Sequence, residues 1–161
     1  MRADRTEAEP GQKVTLVVGL KEFHGGQASR TIEVQVPKDA QPGTMASITV
    51  CDSDVTLVQR VVQDPGFFQP RDFKGLVDAI KLVPSATKLY VHSSFQKRGL
   101  RYGGDAMPQL PSSVTNMLVF GTEVGMAAPL VEDARMEVDM PWVVTGHEQI
   151  SVLIKEPREK R

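Results

Sequence analysis

The chain has 161 residues, about the length of one domain, with 40% hydrophobic and 24% charged residues. This composition provides enough apolar material for a core and too little charge bias for a disordered chain. Lys and Arg number 19 against 20 Asp and Glu, a net charge of -1, which argues against non-specific binding to nucleic acid. The single cysteine, Cys51, excludes an intrachain disulfide and a multi-cysteine metal site.

The first third of the sequence has the alternation of apolar and polar residues that is typical of half-buried strands. Strands are predicted over 13–21, 31–36 and 46–50. Turn-forming residues at 23–27 and 37–43 separate them, which favours connections between antiparallel strands.

Helical spacing replaces this alternation in the middle of the chain. Valines recur at that spacing after Ser53 or Asp54, either of which can cap a first helix that ends at 64–66. Asp72 can cap a second helix, which Pro84 ends. The apolar stripe of this second helix consists of Phe73, Leu76, Val77 and Ile80.

Three further segments are predicted between this helix and residue 121. Residues 89–95 have the pattern of a strand, and 99–105 form a connector with three glycines. A third short helix is predicted over 111–121, because Pro111 is favoured at a helix start and Gly121 just after a helix end.

The last third returns to the strand pattern. Residues 136–140 alternate, Pro141 interrupts them, and 142–144 resume the strand. We expect 145–148 to form a hairpin turn that leads into a final strand over 150–155.

These elements predict an α+β fold in which strands from both chain ends form an immunoglobulin-like antiparallel β-sandwich. Neither end alone has enough strands to bury an apolar face. We expect one module over 9–157, with a helical insertion at about 54–121. The charged ends, 1–8 and 158–161, lack an apolar pattern and are predicted to fray.

The sequence contains no motif for a catalytic, metal or cofactor site. A hydrolase that uses a serine with His24, His92 or His147 is one alternative, although no Gly-x-Ser-x-Gly turn accompanies these residues. A small-ligand or glycan binder is another, with Trp142, Tyr90 and Tyr102 as stacking platforms. We predict neither a metal nor a cofactor, and interpret Cys51 as a buried apolar residue rather than a nucleophile.

Three segments resemble the C-terminal portion of large exported bacterial proteins that carry a serine-peptidase domain of the sporulation stage IV B type. These segments are Leu89-Tyr90-Val91, the run from Gly103 to Val114 with its Leu110-Pro111-Ser112-Ser113-Val114, and the run from Trp142 to Val152. The sequence departs from the family pattern at Met107, where leucine is usual, and at Trp142, where tyrosine is usual.

The resemblance implies a noncatalytic accessory domain. The family's nucleophile lies in a Gly-x-Ser-Gly-Ser-Pro motif that this sequence lacks, so no catalytic residue is carried over. The chain is then expected to pack on a neighbouring domain, or to present partners to it, in a periplasmic or extracellular protein. We expect a protein partner and no insertion into a membrane, because no apolar run is long enough to span one.

The segment from Arg98 to Val114 is the predicted interaction surface. Arg98, Arg101, Met107 and Leu110 combine positive charge with apolar groups beside a glycine-rich connector. The competing interpretation is that Leu110 and Val114 pack between the helices and the sheet, which leaves the two arginines at the rim.

Overall fold

A computed structural model describes residues 1–63, 66, 69, 72–102, 105–108, 110–111, 113–114, 117 and 127–157. Over these residues the chain forms a mixed α+β fold, mostly strands in two sheets with two helices. In chain order the elements are β1 (Arg2–Ala3), β2 (Glu7–Ala8), β3 (Lys13–Lys21), β4 (Gln27–Gln35), β5 (Met45–Cys51), α1 (Ser53–Gln63), α2 (Phe73–Lys81), β6 (Lys88–Tyr102), β7 (Asp105–Met107), β8 (Ala127–Asp139) and β9 (His147–Ile154).

The first sheet has the order β1-β3-β4 among the described residues. The alternation in the sequence predicted β3 and β4, and it assigned their buried sides correctly, because Val14, Leu16 and Ile32 lie in the core. Gly25 has a φ of +92°, a value that favours glycine, in the turn that connects these two antiparallel strands.

The second sheet has the order β2-β9-β5-β6-β7, with β8 paired to β6, in the described part of the chain. Strands from both chain ends therefore share a sheet, as predicted. The pairing of β2 with β9 is parallel, with Glu7 opposite Leu153, and this departs from the antiparallel arrangement that we expected.

The N-terminal residues 1–8 form two short strands instead of the frayed end that we expected. The Asp4 N–H donates to the Thr15 carbonyl at 2.9 Å, and the Thr15 N–H donates to Asp4 Oδ1 at 3.0 Å. The Thr15 N–H lowers the pKa of the Asp4 carboxyl. Backbone pairing of this kind needs no apolar pattern, so composition did not reveal it. The other charged end, 158–161, lies outside the described residues.

The predicted connector over 99–105 is largely a continuation of β6 and its hairpin with β7. Leu100 pairs with Met107, and Tyr102 with Asp105. Gly99 permits this arrangement because its φ is +116° and a Cβ there would collide with the Met107 carbonyl oxygen. The predicted insertion at 54–121 thus contains strands as well as helices. Most of the third predicted helix, 111–121, lies outside the described residues.

The segment between β8 and β9 differs from its prediction. Residues 142–144 form no strand, and 145–148 form no hairpin turn, because β8 pairs with β6 whereas β9 lies between β2 and β5 among the described strands. The backbone of this segment is paired elsewhere: Met140 N–H donates to the Thr87 carbonyl at 2.9 Å, and Val144 N–H to the Ala86 carbonyl at 3.0 Å.

The chain divides into two compact units. We call Thr49–His92 with Arg135–Gln149 the helical unit, because it contains α1 and α2. We call Met1–Ile48, Ser93–Ala134 and Ile150–Arg161 the strand unit. Within the described ranges, neither helix has the length and apolar character needed to cross a membrane.

Candidate binding site

Asp52 positions the first helix of the helical unit. Its Oδ1 accepts from Val55 N–H at 2.9 Å, and its Oδ2 accepts from Gly146 N–H at 2.7 Å. The Asp52 N–H in turn donates to the Gly146 carbonyl at 3.1 Å. The capping group is therefore Asp52, rather than Ser53 or Asp54 as predicted, and it also ties the helix start to the segment before β9.

The second helix begins as the sequence predicted. Asp72 is its N-cap, and Asp72 Oδ1 accepts from Gly75 N–H at 2.6 Å. The apolar stripe does not face the core, however. Phe73 is 80% exposed and Ile80 is 62% exposed, whereas Ala79 is the buried residue of this helix.

Large apolar side chains are exposed on both helices and in the residues after α2. The buried residues of α1 are Ser53 and Thr56, which are small and polar, whereas Val58 and Val62 are exposed. We define the apolar helix surface as Val58, Val62, Phe73, Leu76, Ile80, Leu82 and Val83, all of them exposed. Five large exposed apolar residues on two helices, with two more directly after α2, exceed the scattered single residues of an ordinary surface.

A pocket of about 340 Å³ lies within the helical unit, at the C-terminal end of α2. Four cationic side chains and one carboxylate line it, so its lining is basic. The lining residues are Arg60, Lys81, Leu82, Val83, Pro84, Ser85, Lys88, Tyr90, Arg135 and Glu137. We call this the basic pocket.

Internal contacts hold the cationic groups of the basic pocket in place. Arg60 Nη1 donates to the Leu82 carbonyl at 2.5 Å, which connects α1 to the end of α2. Arg135 lies over the Tyr90 ring, 4.7 Å from its centroid, and its Nη2 is 2.9 Å from Glu137 Oε1.

Lys88 and Lys81 complete the cationic lining. Lys88 Nζ lies 2.9 Å from Glu137 Oε2 and 3.7 Å from Asp139 Oδ1, whereas Lys81 Nζ is 4.0 Å from Asp78 Oδ1. The hydrogen bond to Glu137 raises the pKa of Lys88, and the same bond lowers the pKa of Glu137. Both groups are therefore charged near neutral pH.

Of the three residues predicted as stacking platforms for a glycan, Tyr90 is not exposed. Tyr90 is buried, its ring is covered by Arg135, and its hydroxyl donates to the Ser85 carbonyl at 3.2 Å. Trp142 is partly exposed in the helical unit, whereas Tyr102 belongs to the strand unit.

Cys51 lies in a buried polar contact with Thr56. Cys51 Sγ is 3.4 Å from Thr56 Oγ1, and this hydroxyl is 3.1 Å from His92 Nε2. Burial raises the pKa of the Cys51 thiol, which disfavours the reactive thiolate. The interpretation of Cys51 as a buried apolar residue is confirmed.

We expect native Cys51 to resist iodoacetamide near neutral pH, because the thiol is both protonated and shielded from solvent. Labelling followed by intact-protein mass spectrometry should detect almost no adduct in the folded protein and a complete single adduct in guanidinium chloride. Rapid labelling of the folded protein would contradict this account of the thiol.

The three histidines lie in different surroundings. His24 is exposed at the β3–β4 turn and packs edge-on against the Phe23 ring, with centroids 5.4 Å apart. His92 contacts Thr56, and His147 is exposed at the start of β9. In the part of the chain that the structure describes, no three His, Cys, Asp or Glu side chains form a group that could hold a metal ion.

The surface predicted from the sequence lies in the strand unit. Arg98 and Arg101 are exposed on β6, and Met107 and Leu110 are half-buried. The neighbouring Lys97 bonds Asp39 and Glu132, at 2.7 and 2.6 Å. Val114, which we expected to pack, is 37% exposed. A docking role for the four residues stays a prediction.

Sequence reasoning did not find the basic pocket. Arg60, Lys81, Lys88 and Arg135 come from distant segments, and each is an ordinary surface residue type in its own segment. One sequence feature could have indicated the pocket. A basic residue lies at or near the end of each predicted helix, next to apolar positions.

Comparison with known proteins adds no assignment. No family model, no curated protein and no solved structure matches this chain. The resemblance to the serine-peptidase family therefore stays a prediction.

Proposed function

We propose that the chain is a noncatalytic interaction domain whose apolar helix surface docks a protein partner. The partner is a neighbouring domain or a separate protein, in a larger extracytoplasmic bacterial protein of the kind that the family resemblance implies. The observation that carries this proposal is the outward apolar stripe of α2, in which Phe73 and Ile80 are mostly exposed. Exposed apolar area of this extent is typical of interaction sites.

Helical spacing aligns the exposed apolar residues within each helix. Phe73, Leu76 and Ile80 are three and four residues apart and therefore lie on one side of α2. Val58 and Val62, four residues apart, do the same on α1. Burial of one such large side chain contributes roughly 1.5–3 kcal/mol, so a few of them suffice for a specific complex.

We further propose that the two sheets form an immunoglobulin-like sandwich in the strand unit. Each sheet has one buried side, which includes Leu16 and Ile32 in the first sheet and Ile48, Phe95 and Ile154 in the second. A sandwich is the common way for two such sides to be covered.

Ile80→Asp tests the docking role. Because Ile80 is 62% exposed, we expect the charge to change the free energy of unfolding by no more than about 0.5 kcal/mol. The probe is a helical peptide with leucines on one side and glutamines on the other. We expect its binding, measured by fluorescence anisotropy, to weaken at least about tenfold, because the loss of one buried isoleucine exceeds 1.4 kcal/mol.

Val17→Asp is the matched control, because Val17 is also a half-exposed branched residue but lies on β3. It should leave peptide binding unchanged. A large loss of stability in Ile80→Asp would indicate that α2 packs through this side. Failure of the wild-type protein to bind the glutamine peptide would equally contradict the docking role.

A further inference from the structure

We propose that the docked partner segment is acidic and that the basic pocket binds its carboxylates. This inference rests on the proposed function, and it adds the chemistry of the partner. The pocket is lined by four cations, Arg60, Lys81, Lys88 and Arg135. Three carboxylates lie beside them, Glu137 in the lining, Asp139 at 3.7 Å from Lys88 Nζ and Asp78 at 4.0 Å from Lys81 Nζ, which leaves an excess of one positive charge. A ligand that brings carboxylates would balance this excess of positive charge.

The arginines and lysines of the pocket are suited to different tasks. Arg135 is fixed by Tyr90 and Glu137, and Arg60 by the Leu82 carbonyl, so their guanidinium groups are held in place before a ligand arrives. Preorganised donors lose less freedom when a carboxylate binds. Lys81 Nζ lies 4.0 Å from Asp78 Oδ1 and its side chain is 71% exposed, so it can turn to an incoming carboxylate.

The basic pocket and the apolar helix surface share residues. Leu82 and Val83 line the pocket and are also exposed members of the apolar surface. Arg60 lies between Val58 and Val62 in the sequence of α1. An occupant that places apolar side chains on the helices therefore brings its flanking groups to the pocket, which favours an amphipathic acidic segment.

Charge argues against a second copy of this chain as the occupant. A two-fold dimer through this surface would bring the two basic pockets towards each other, because such an interface uses the same patch on both subunits. Like charges placed together in this way are unfavourable. An acidic segment from a different protein or domain avoids this repulsion.

The test compares three peptides that share one leucine pattern and carry glutamine, glutamate or lysine on the other side. Binding to the purified full chain is measured by fluorescence anisotropy at low salt. We expect the glutamate peptide to bind about tenfold more tightly than the glutamine peptide, and the lysine peptide to bind more weakly than either. Raised salt should remove most of these differences.

Two pocket variants test which residues cause the preference for the glutamate peptide. Lys81→Gln should reduce the preference for glutamate over glutamine several-fold, and Lys81→Gln with Arg60→Gln should abolish it. Lys81→Gln should bind the glutamine peptide as the wild type does, because Lys81 is not part of the apolar helix surface. Circular dichroism checks that α1 persists without the bond from Arg60 to Leu82. Arg101→Gln is the matched control, because it removes an exposed arginine of the strand unit, and it should have no effect.

The outcomes separate this inference from the docking role. Equal affinities for the glutamine and glutamate peptides, or a preference that survives in the double variant, would contradict the proposal of an acidic partner. Neither result would contradict the docking role of the apolar helix surface. Loss of the preference for glutamate in Arg101→Gln would indicate that the carboxylates bind in the strand unit, and would contradict the assignment to the basic pocket. Inorganic phosphate that binds more tightly than the glutamate peptide would overturn the proposal in favour of a phosphate site. Binding of none of the peptides would contradict the docking role itself.

Discussion

Phe95→Ala should lower the free energy of unfolding by about 3–5 kcal/mol, the largest effect that we expect from a single substitution in this chain. Phe95 lies on β6 and is only 1% exposed, so truncation removes a large buried ring and leaves a cavity in a close-packed interior. Urea denaturation followed by circular dichroism measures the change.

Phe23→Ala provides the matched control for this substitution. The Phe23 side chain is 99% exposed at the β3–β4 turn, so its removal should change stability by no more than about 0.5 kcal/mol. Similar losses for the two phenylalanines would contradict the assignment of β6 to the core.

Asp52→Ala should destabilise the helical unit by about 2–5 kcal/mol. Loss of the helix cap contributes about 0.5–2 kcal/mol. Loss of the hydrogen bond between the Asp52 carboxylate and Gly146 N–H adds about 1.5–3 kcal/mol, since Asp52 is 7% exposed and water replaces the bond poorly. Hydrogen exchange of the α1 amides, with and without denaturant, measures the change.

Asp72→Ala is the comparison that isolates the second bond of Asp52. Asp72 caps α2 through a single exposed contact with Gly75, so its loss should cost only about 0.5–2 kcal/mol. Asp52→Asn keeps a capping group and should fall between wild type and Asp52→Ala. An Asp52→Ala protein no less stable than Asp72→Ala would contradict the two-bond role.

Local pattern was sufficient to predict β3, β4 and β5, although it did not reveal the two short strands β1 and β2. Buried side chains alternate with more exposed ones in β3, in β4 from Thr31 onward and in β5 up to Val50, because one side of each strand is buried and the other is not. The continuation of β6 through Gly99 could not be predicted this way. Glycines at 99, 103 and 104 indicate a loop locally, whereas the pairing of Leu100 with Met107 is set by a neighbouring strand.

The helices illustrate a different limit of sequence reasoning. The spacing of Phe73, Leu76 and Ile80, with Asp72 before them, correctly predicted α2 and its cap. Spacing defines a side of the helix but not what covers that side, and here Ala79 is buried instead. The same apolar stripe that usually marks a core is therefore the candidate docking surface.

The basic pocket depends on tertiary contacts that no local pattern encodes. Arg60 and Arg135 are far apart in the chain, and their places are set by the Leu82 carbonyl and by the Tyr90 ring. Each is a common surface residue when considered alone. Arg98 and Arg101, by contrast, are close in sequence, and this closeness led to their prediction as an interaction surface. Closeness in sequence does not by itself indicate a binding site.

Chemical-shift mapping with the glutamate peptide tests the central claim most directly. The isotope-labelled chain is titrated with the peptide, and backbone amide shifts are followed residue by residue. We predict that the perturbed amides cluster at 58–62, at 73–88 and around Arg135, which are the apolar helix surface and the basic pocket. Perturbations confined to 98–110, or an absence of perturbation at α1 and α2 under saturating peptide, would contradict the account.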